Sequence, residues 1–258
     1  MYNFEFEKPS TVAEAVAALA SEDAQALGGG QTLIPTMKQR LASPAKLVSL
    51  TGIAEMKEID SDGKVLNIGG AVTHAEVASG GYGAISALAG NIGDPAVRNR
   101  GTIGGSLAND DPSADYPAAV LACGATIITD RRTIAADDFF DGMFTTALED
   151  GEIITAVEFP VPDAACYQKF DQPASRFALV GVFVARFGNT VRVAVTGASE
   201  EGVHRWTAAE EALSANFSAD ALDGLSVDAD GMISDLHGSG AYRAHLVKVL
   251  TARAVAAA

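Results

Sequence analysis

Two glycine-dense segments constrain this chain more than anything else in it: LGGGQTLIPTMKQRL from Leu27 to Leu41 and RNRGTIGGSLANDDPSADYPA from Arg98 to Ala118. In the first, three glycines separate an apolar strand-like stretch, Ala24 to Leu27, from residues of helical composition, Thr32 to Leu41. Backbone N–H groups and a helix dipole can converge there on an anion such as a pyrophosphate. The spacing is neither G-x-G-x-x-G nor G-x-x-x-x-G-K-[ST], which argues against a Rossmann or P-loop site. Alone, such a run is as readily a turn. In the second segment Gly101, Gly104 and Gly105 let backbone approach a flat or phosphorylated ligand, while Thr102, Ser106, Asn109 and Asp115 offer hydrogen-bonding side chains. Its plainer reading is a surface loop in which Asp110, Asp111 and Asp115 are solvated or cap a helix. Two such loops, about 70 residues apart, suit a long ligand gripped at each end, as an extended dinucleotide would be.

Charge and composition exclude other classes. Lys and Arg total 18 against 33 Asp and Glu, a net charge of -15 that repels a phosphate backbone, so no nucleic-acid partner is expected. No apolar run approaches the roughly 18 residues of a membrane span, so no integral membrane segment is expected. The opening MYNFEFEKPS lacks a basic stretch followed by an apolar one, so a cytoplasmic protein is expected, compatible with a peripheral position at the inner membrane. Cys123 and Cys166 form no C-x-x-C and are expected as reduced, buried thiols. His74, His204, His237 and His245 lie in unrelated segments and are expected to be structural or superficial, with no metal site.

The pattern along the chain predicts strands at 3–7, 24–27 and 46–50 around helices at 12–20 and 32–41, a small βαβ-like unit. A hairpin turning at Asp62-Gly63, helices at 73–78, 84–89 and 117–123, and strands at 125–129 and 153–159 follow, with Asn99 to Asn109 as loop. Apolar, β-branched runs at 178–187 and 190–196 flank Gly188-Asn189 as a second hairpin, and helices at 207–215 and 241–257 pack on it.

GGGQTLIPTMK at 28–38 and RNRGTIGGSLANDDPSAD at 98–115 resemble the two FAD loops of molybdenum-hydroxylase flavoproteins, with carbon monoxide dehydrogenase medium subunits the nearest pattern. The resemblance extends through GEIITAVEFP at 151–160, FDQPASRFALVGV at 170–182 and GSGAYRAHLVKVL at 238–250. It implies an α+β chain: a two-subdomain FAD-binding fold of the vanillyl-alcohol-oxidase/PCMH type at residues 1–55 and 56–163, then a C-terminal antiparallel sheet and helix domain at 164–258. By the same resemblance Gly28, Gly29, Gly30, Gln31 and Thr32 cradle the pyrophosphate beside Leu33. Thr102, Ile103, Gly104, Gly105 and Ser106 run along the flavin half, and Asp115 binds a ribityl or related hydroxyl. Ile154 matches a position whose backbone touches the ring, and Phe177 one where several relatives carry a tyrosine.

The resemblance further implies an oxidoreductase subunit without a catalytic dyad of its own. It passes electrons from two iron–sulfur clusters on a small partner subunit, fed by a molybdenum-pterin cofactor on a large one, through FAD to an external acceptor, in a dimer of heterotrimers. Two cysteines cannot hold a cluster that typically needs four, so the clusters belong to another chain. Asp171 stands where some xanthine-oxidising relatives have a lysine, removing a cation that would stabilise an anionic reduced ring. The alternatives are a self-contained flavin oxidase, for which the roughly 95 residues after Val161 are a short substrate domain, and a non-catalytic assembly subunit, against which the intact glycine loops argue.

Overall fold

Strand and helix alternate in the first fifty residues of the computed structural model, which describes residues 1–258: β1 (Glu5–Glu7), α1 (Val12–Leu19), β2 (Ala24–Leu27), α2 (Leu33–Lys38) and β3 (Lys46–Ser49). The three strands pair in parallel, in the order β1-β3-β2, as crossovers through short helices permit. Thr11 accepts the Glu14 N–H at 3.2 Å and so starts α1, whose Ala15, Ala18 and Leu19 pack on Val48, Ile53 and Met56. Helix α2 is shorter than its composition suggested, because Arg40 takes a left-handed φ of 63° and ends it.

The next hundred residues place five helices over an antiparallel sheet. Their elements are β4 (Ile59–Ser61), β5 (Val65–Gly69), α3 (His74–Ser79), α4 (Gly83–Gly90), α5 (Pro95–Arg98), α6 (Ile103–Asn109), α7 (Tyr116–Cys123), β6 (Thr126–Thr129), β7 (Thr133–Ala135) and β8 (Ile154–Pro160). The sheet order is β4-β5-β8-β6-β7. Helix α7 is buried along its whole length, as its apolar sequence requires, and ends on Gly124 in the left-handed region at φ 59°. Helix α6 corrects an expectation, since this stretch was to be loop. Thr102 caps it, and Ile103 and Leu107, one turn apart, are both fully buried, which outweighs the poor helix propensity of Gly104 and Gly105.

The C-terminal part contains β9 (Ala164–Asp171), β10 (Ala178–Phe187), β11 (Thr190–Thr196), β12 (His204–Arg205), α8 (Thr207–Ala215) and α9 (Gly240–Ala257), with sheet order β12-β11-β10-β9. Phe187 pairs with Thr190 across the two-residue Gly188-Asn189 turn. One face of this sheet, through Val180, Val182, Val184, Val193 and Val195, packs on α8 and α9; the other, through Tyr167, Phe183, Ala185 and Ala194, joins the core around α7. Burial on both faces explains why β10 reads as a nearly unbroken apolar run. Cys123 and Cys166 are free thiols, buried and half-buried. No helix is long and apolar enough to cross a membrane.

Candidate functional site

The two glycine loops meet. A Cβ added to Gly29 would collide with the Arg100 carbonyl and fall 2.6 Å from the Gly101 Cα, so backbone lies directly on backbone. The junction floors a cleft of about 580 Å³ walled by β2, α2, α6, the start of β8 and the tip of the β9–β10 hairpin. Gly28, Gly29, Gly30, Gln31, Thr32 and Leu33 line it, together with Thr102, Gly104, Gly105, Ser106 and Asp115 and with Ile154 and Phe177. Ile103 does not line it. Its side chain is fully buried in the core and only its backbone neighbours face the cleft. His74, read from the sequence as structural or superficial, is buried and also borders the cleft.

The first loop is rich in unspent donors. None of the backbone N–H groups from Gly28 through Leu33 donates to a protein acceptor; the first that does is Ile34, to the Gly30 carbonyl at 3.2 Å. Thr32 stands at the N-cap of α2 without making a side-chain cap, and Gly30 takes a φ of 72° that turns the chain there. The Gln31 amide bends back on its own loop, reaching the Gly29 carbonyl at 3.4 Å. A concave run of free N–H groups at a helix start is an anion cradle.

The second loop has spent its donors internally. Ile103 N–H reaches the Val72 carbonyl at 3.1 Å, Gly104 the Gly70 carbonyl at 3.0 Å and Ser106 the Thr102 carbonyl at 3.0 Å, while Gly105 N–H is taken by Thr102 Oγ1 at 3.1 Å. Gly104 is therefore glycine for packing: a Cβ there would lie 2.6 Å from the Gly70 carbonyl oxygen, not in the cleft. Neither Gly104 nor Gly105 has a positive φ. What this loop presents is shape, the exposed Gly105, and the side chains of Ser106 and Asn109, which have no protein partner.

Behind it lie buried titratable groups. Burial, helped by the Arg98 charge, holds the His74 imidazole down at about 4, and its Nδ1 has no partner. Burial beside Asp111 pushes the Asp110 carboxyl up to about 7. The C-terminal sheet clamps the end of the loop: the Thr196 hydroxyl donates to the Ala114 carbonyl at 2.7 Å and lies 3.0 Å from the Pro112 carbonyl, to which Gly197 N–H donates at 2.7 Å. Asp115, expected to be a ligand group, is 4% exposed and bonded to Tyr167 and Lys169 of β9. A cation, Lys169, stands two residues before Asp171 on the same strand face, its Nζ 3.4 Å from the Asp171 carboxylate, but it does not line the cleft. Tyr167, Lys169 and Asp171 alternate along one face of β9, a period-two signal that recognising the strand would have exposed.

Residues 2–162 match the family of FAD-binding domains in molybdopterin dehydrogenases. The chain belongs to this family. The nicotine 6-hydroxylase medium subunit of Paenarthrobacter nicotinovorans is 32% identical over 97% of this chain and 95% of its own. The carbon monoxide dehydrogenase medium chain of Hydrogenophaga pseudoflava is 33% identical over 99% of this chain and 96% of its own. A chain of reconstituted CO dehydrogenase from Oligotropha carboxidovorans superposes with a TM-score of 0.88 at 31% identity, covering 99% of this chain and 97% of that one. As in other molybdopterin dehydrogenase flavoproteins, FAD is the cofactor. The cleft fits it on two counts: a run of N–H groups from Gly28 to Leu33 free to bind an anion, and a partly apolar lining that includes Ile154 and Phe177.

Proposed function

We propose that this chain is the FAD-carrying electron-transfer subunit of a molybdenum hydroxylase complex of the carbon monoxide dehydrogenase type. In this reading a large partner subunit oxidises substrate at a molybdenum-pterin cofactor, a small partner carries two iron–sulfur clusters, and the assembly is a dimer of heterotrimers. The observation that carries the cofactor's placement is the run of unspent N–H groups from Gly28 to Leu33 in the lining of a cleft of about 580 Å³. FAD, when bound, supplies the ability to take electrons singly and release them as a pair.

The chain's own residues bind and orient. Gly28 to Leu33 hold the pyrophosphate; Ser106 and Asn109 are free to bond the polar middle of the ligand; Thr102, Gly105, Ile154 and Phe177 shape the flavin end. Asp115 takes its place there through its contacts with β9 rather than as a free carboxylate. Near-equal identity to a nicotine hydroxylase subunit and to a carbon monoxide dehydrogenase subunit supports substrate choice lying outside this chain.

The test is paired. The same substrate is offered to the isolated, FAD-loaded chain and to the assembled complex, with flavin bleaching followed in both. Bleaching in the complex and none in the isolated chain is expected. Rapid bleaching of the isolated chain by substrate would sink the electron-transfer reading and favour a self-contained flavin oxidase.

A further inference from the structure

The cleft has an electrostatic partner on the C-terminal sheet that the glycine loops do not account for. Asp115 lines both the main cleft and a smaller cavity of about 340 Å³ beyond Phe177. It occupies the N-cap position of α7 yet makes no cap bond. Its carboxylate turns to β9 instead: the Tyr167 hydroxyl donates to Oδ1 at 2.6 Å, and Lys169 Nζ lies 3.0 Å from Oδ1 and 3.3 Å from Oδ2. Lys169 also donates to the Asn91 carbonyl at 3.0 Å, and its side chain is 3% exposed.

The sheet is built to allow this. Gly181 of β10 is the direct cross-strand partner of Lys169, and a Cβ there would collide with the Tyr167 hydroxyl. The missing side chain in the middle of an otherwise β-branched strand is what lets Tyr167 lie across it to Asp115. Other charged or titratable groups face the carboxylate from several elements: Asp171 on β9, Asp111 in the cleft, Asp94 and Arg176 across the smaller cavity, and Tyr116 next in sequence. Among them Lys169 is the cation within bonding distance. Burial pushes the Asp115 carboxyl up, while the Lys169 charge and the Tyr167 hydrogen bond pull it back. A buried carboxylate stripped of its cation is left uncompensated and relieves itself by taking a proton.

We propose that Lys169 is a positioning residue of the cofactor site: it neutralises the charge of the Asp115 carboxylate and fixes it beside the cleft, and so sets how tightly flavin is held and how readily it is reduced. This rests on the placement of FAD given above.

The experiment is Lys169→Met in the full chain, purified in its assembled form, with flavin retention and midpoint potential compared with wild type from about pH 6 to about pH 9. A carboxyl raised by loss of its cation is neutral at the acid end and charged at the alkaline end. Wild-type retention is expected to be flat. The variant keeps flavin near wild-type level at the acid end, binds it about tenfold more weakly or worse at the alkaline end, and shows its potential depressed relative to wild type most strongly there. Asp115→Asn combined with Lys169→Met removes the titration and flattens the profile. A Lys169→Met protein matching wild type at both ends overturns the proposal. If that variant fails to fold, the double variant decides: a folded, flavin-loaded double variant supports a charge role, and one equally unfolded overturns it, because Lys169 is then needed for packing alone. Wild type devoid of flavin at every pH overturns both this inference and the placement of FAD.

Discussion

The two glycine loops look interchangeable as sequence, yet they do opposite things with their backbone. From Gly28 to Leu33 the N–H groups are left without protein acceptors; from Ile103 to Ser106 each is consumed by Val72, Gly70 or Thr102. The first is a binding surface and the second a rigid wall. Their glycines differ accordingly, Gly29 and Gly104 serving close backbone packing and Gly30 a left-handed turn. Glycine density thus marks where chain segments approach something closely, and only the hydrogen-bond ledger tells whether that something is a ligand or the protein itself.

The comparison can be broken most severely at Gly29, where the loops touch. Gly29→Ala drives a methyl into the Arg100 carbonyl and is expected to cost about 3 kcal/mol or more of stability, with loss of flavin, read by thermal unfolding and flavin content. A variant with wild-type stability would mean that the loops do not meet as described. A gentler contrast comes from neighbouring positions in the wall. Gly104→Ala presses on the Gly70 backbone and should cost about 1 to 3 kcal/mol, lowering flavin content only by loosening α6. Gly105→Ala places its methyl beside the Thr102 hydroxyl at 2.9 Å with no other atom near. Better helix propensity offsets that crowding, so stability should stay within about 1 kcal/mol of wild type while flavin affinity falls. The opposite pattern, with Gly105→Ala the less stable and Gly104→Ala the weaker binder, would reverse the roles assigned to the two glycines.

Much of this was legible in the sequence because it rests on local signals. The β10–β11 hairpin follows from two β-branched runs around Gly188-Asn189, and α7 from an apolar stretch ending in glycine. Of the site residues read from the sequence, all but Ile103 line the cleft, because glycine loops and their flanking polar groups are contiguous in the chain; Gly70, Ala71, Ile92 and Val97, which also line it, carry no such local signal. Helix α6 was hidden by its own glycines, whose low propensity is overridden by burial of Ile103 and Leu107. The place of His74 beside the cleft was not legible since a lone histidine carries no spacing signal; it reaches the cleft because α3 packs behind Gly101, where a Cβ would fall 2.5 Å from the imidazole Nε2. The link from Asp115 to Tyr167 and Lys169 spans more than fifty residues and depends on the register of β9 against β10, which no local pattern encodes.

Amide hydrogen exchange with and without FAD tests the central claim most directly, since free and bonded N–H groups exchange at different rates. The amides of Gly28 to Leu33 should exchange fast in the cofactor-free protein and become strongly protected when FAD binds, whereas those of Ile103 to Ser106 should be protected beforehand and change little. Amides 28 to 33 that exchange equally fast with FAD bound would contradict the account, because the pyrophosphate would then lie somewhere other than the cradle.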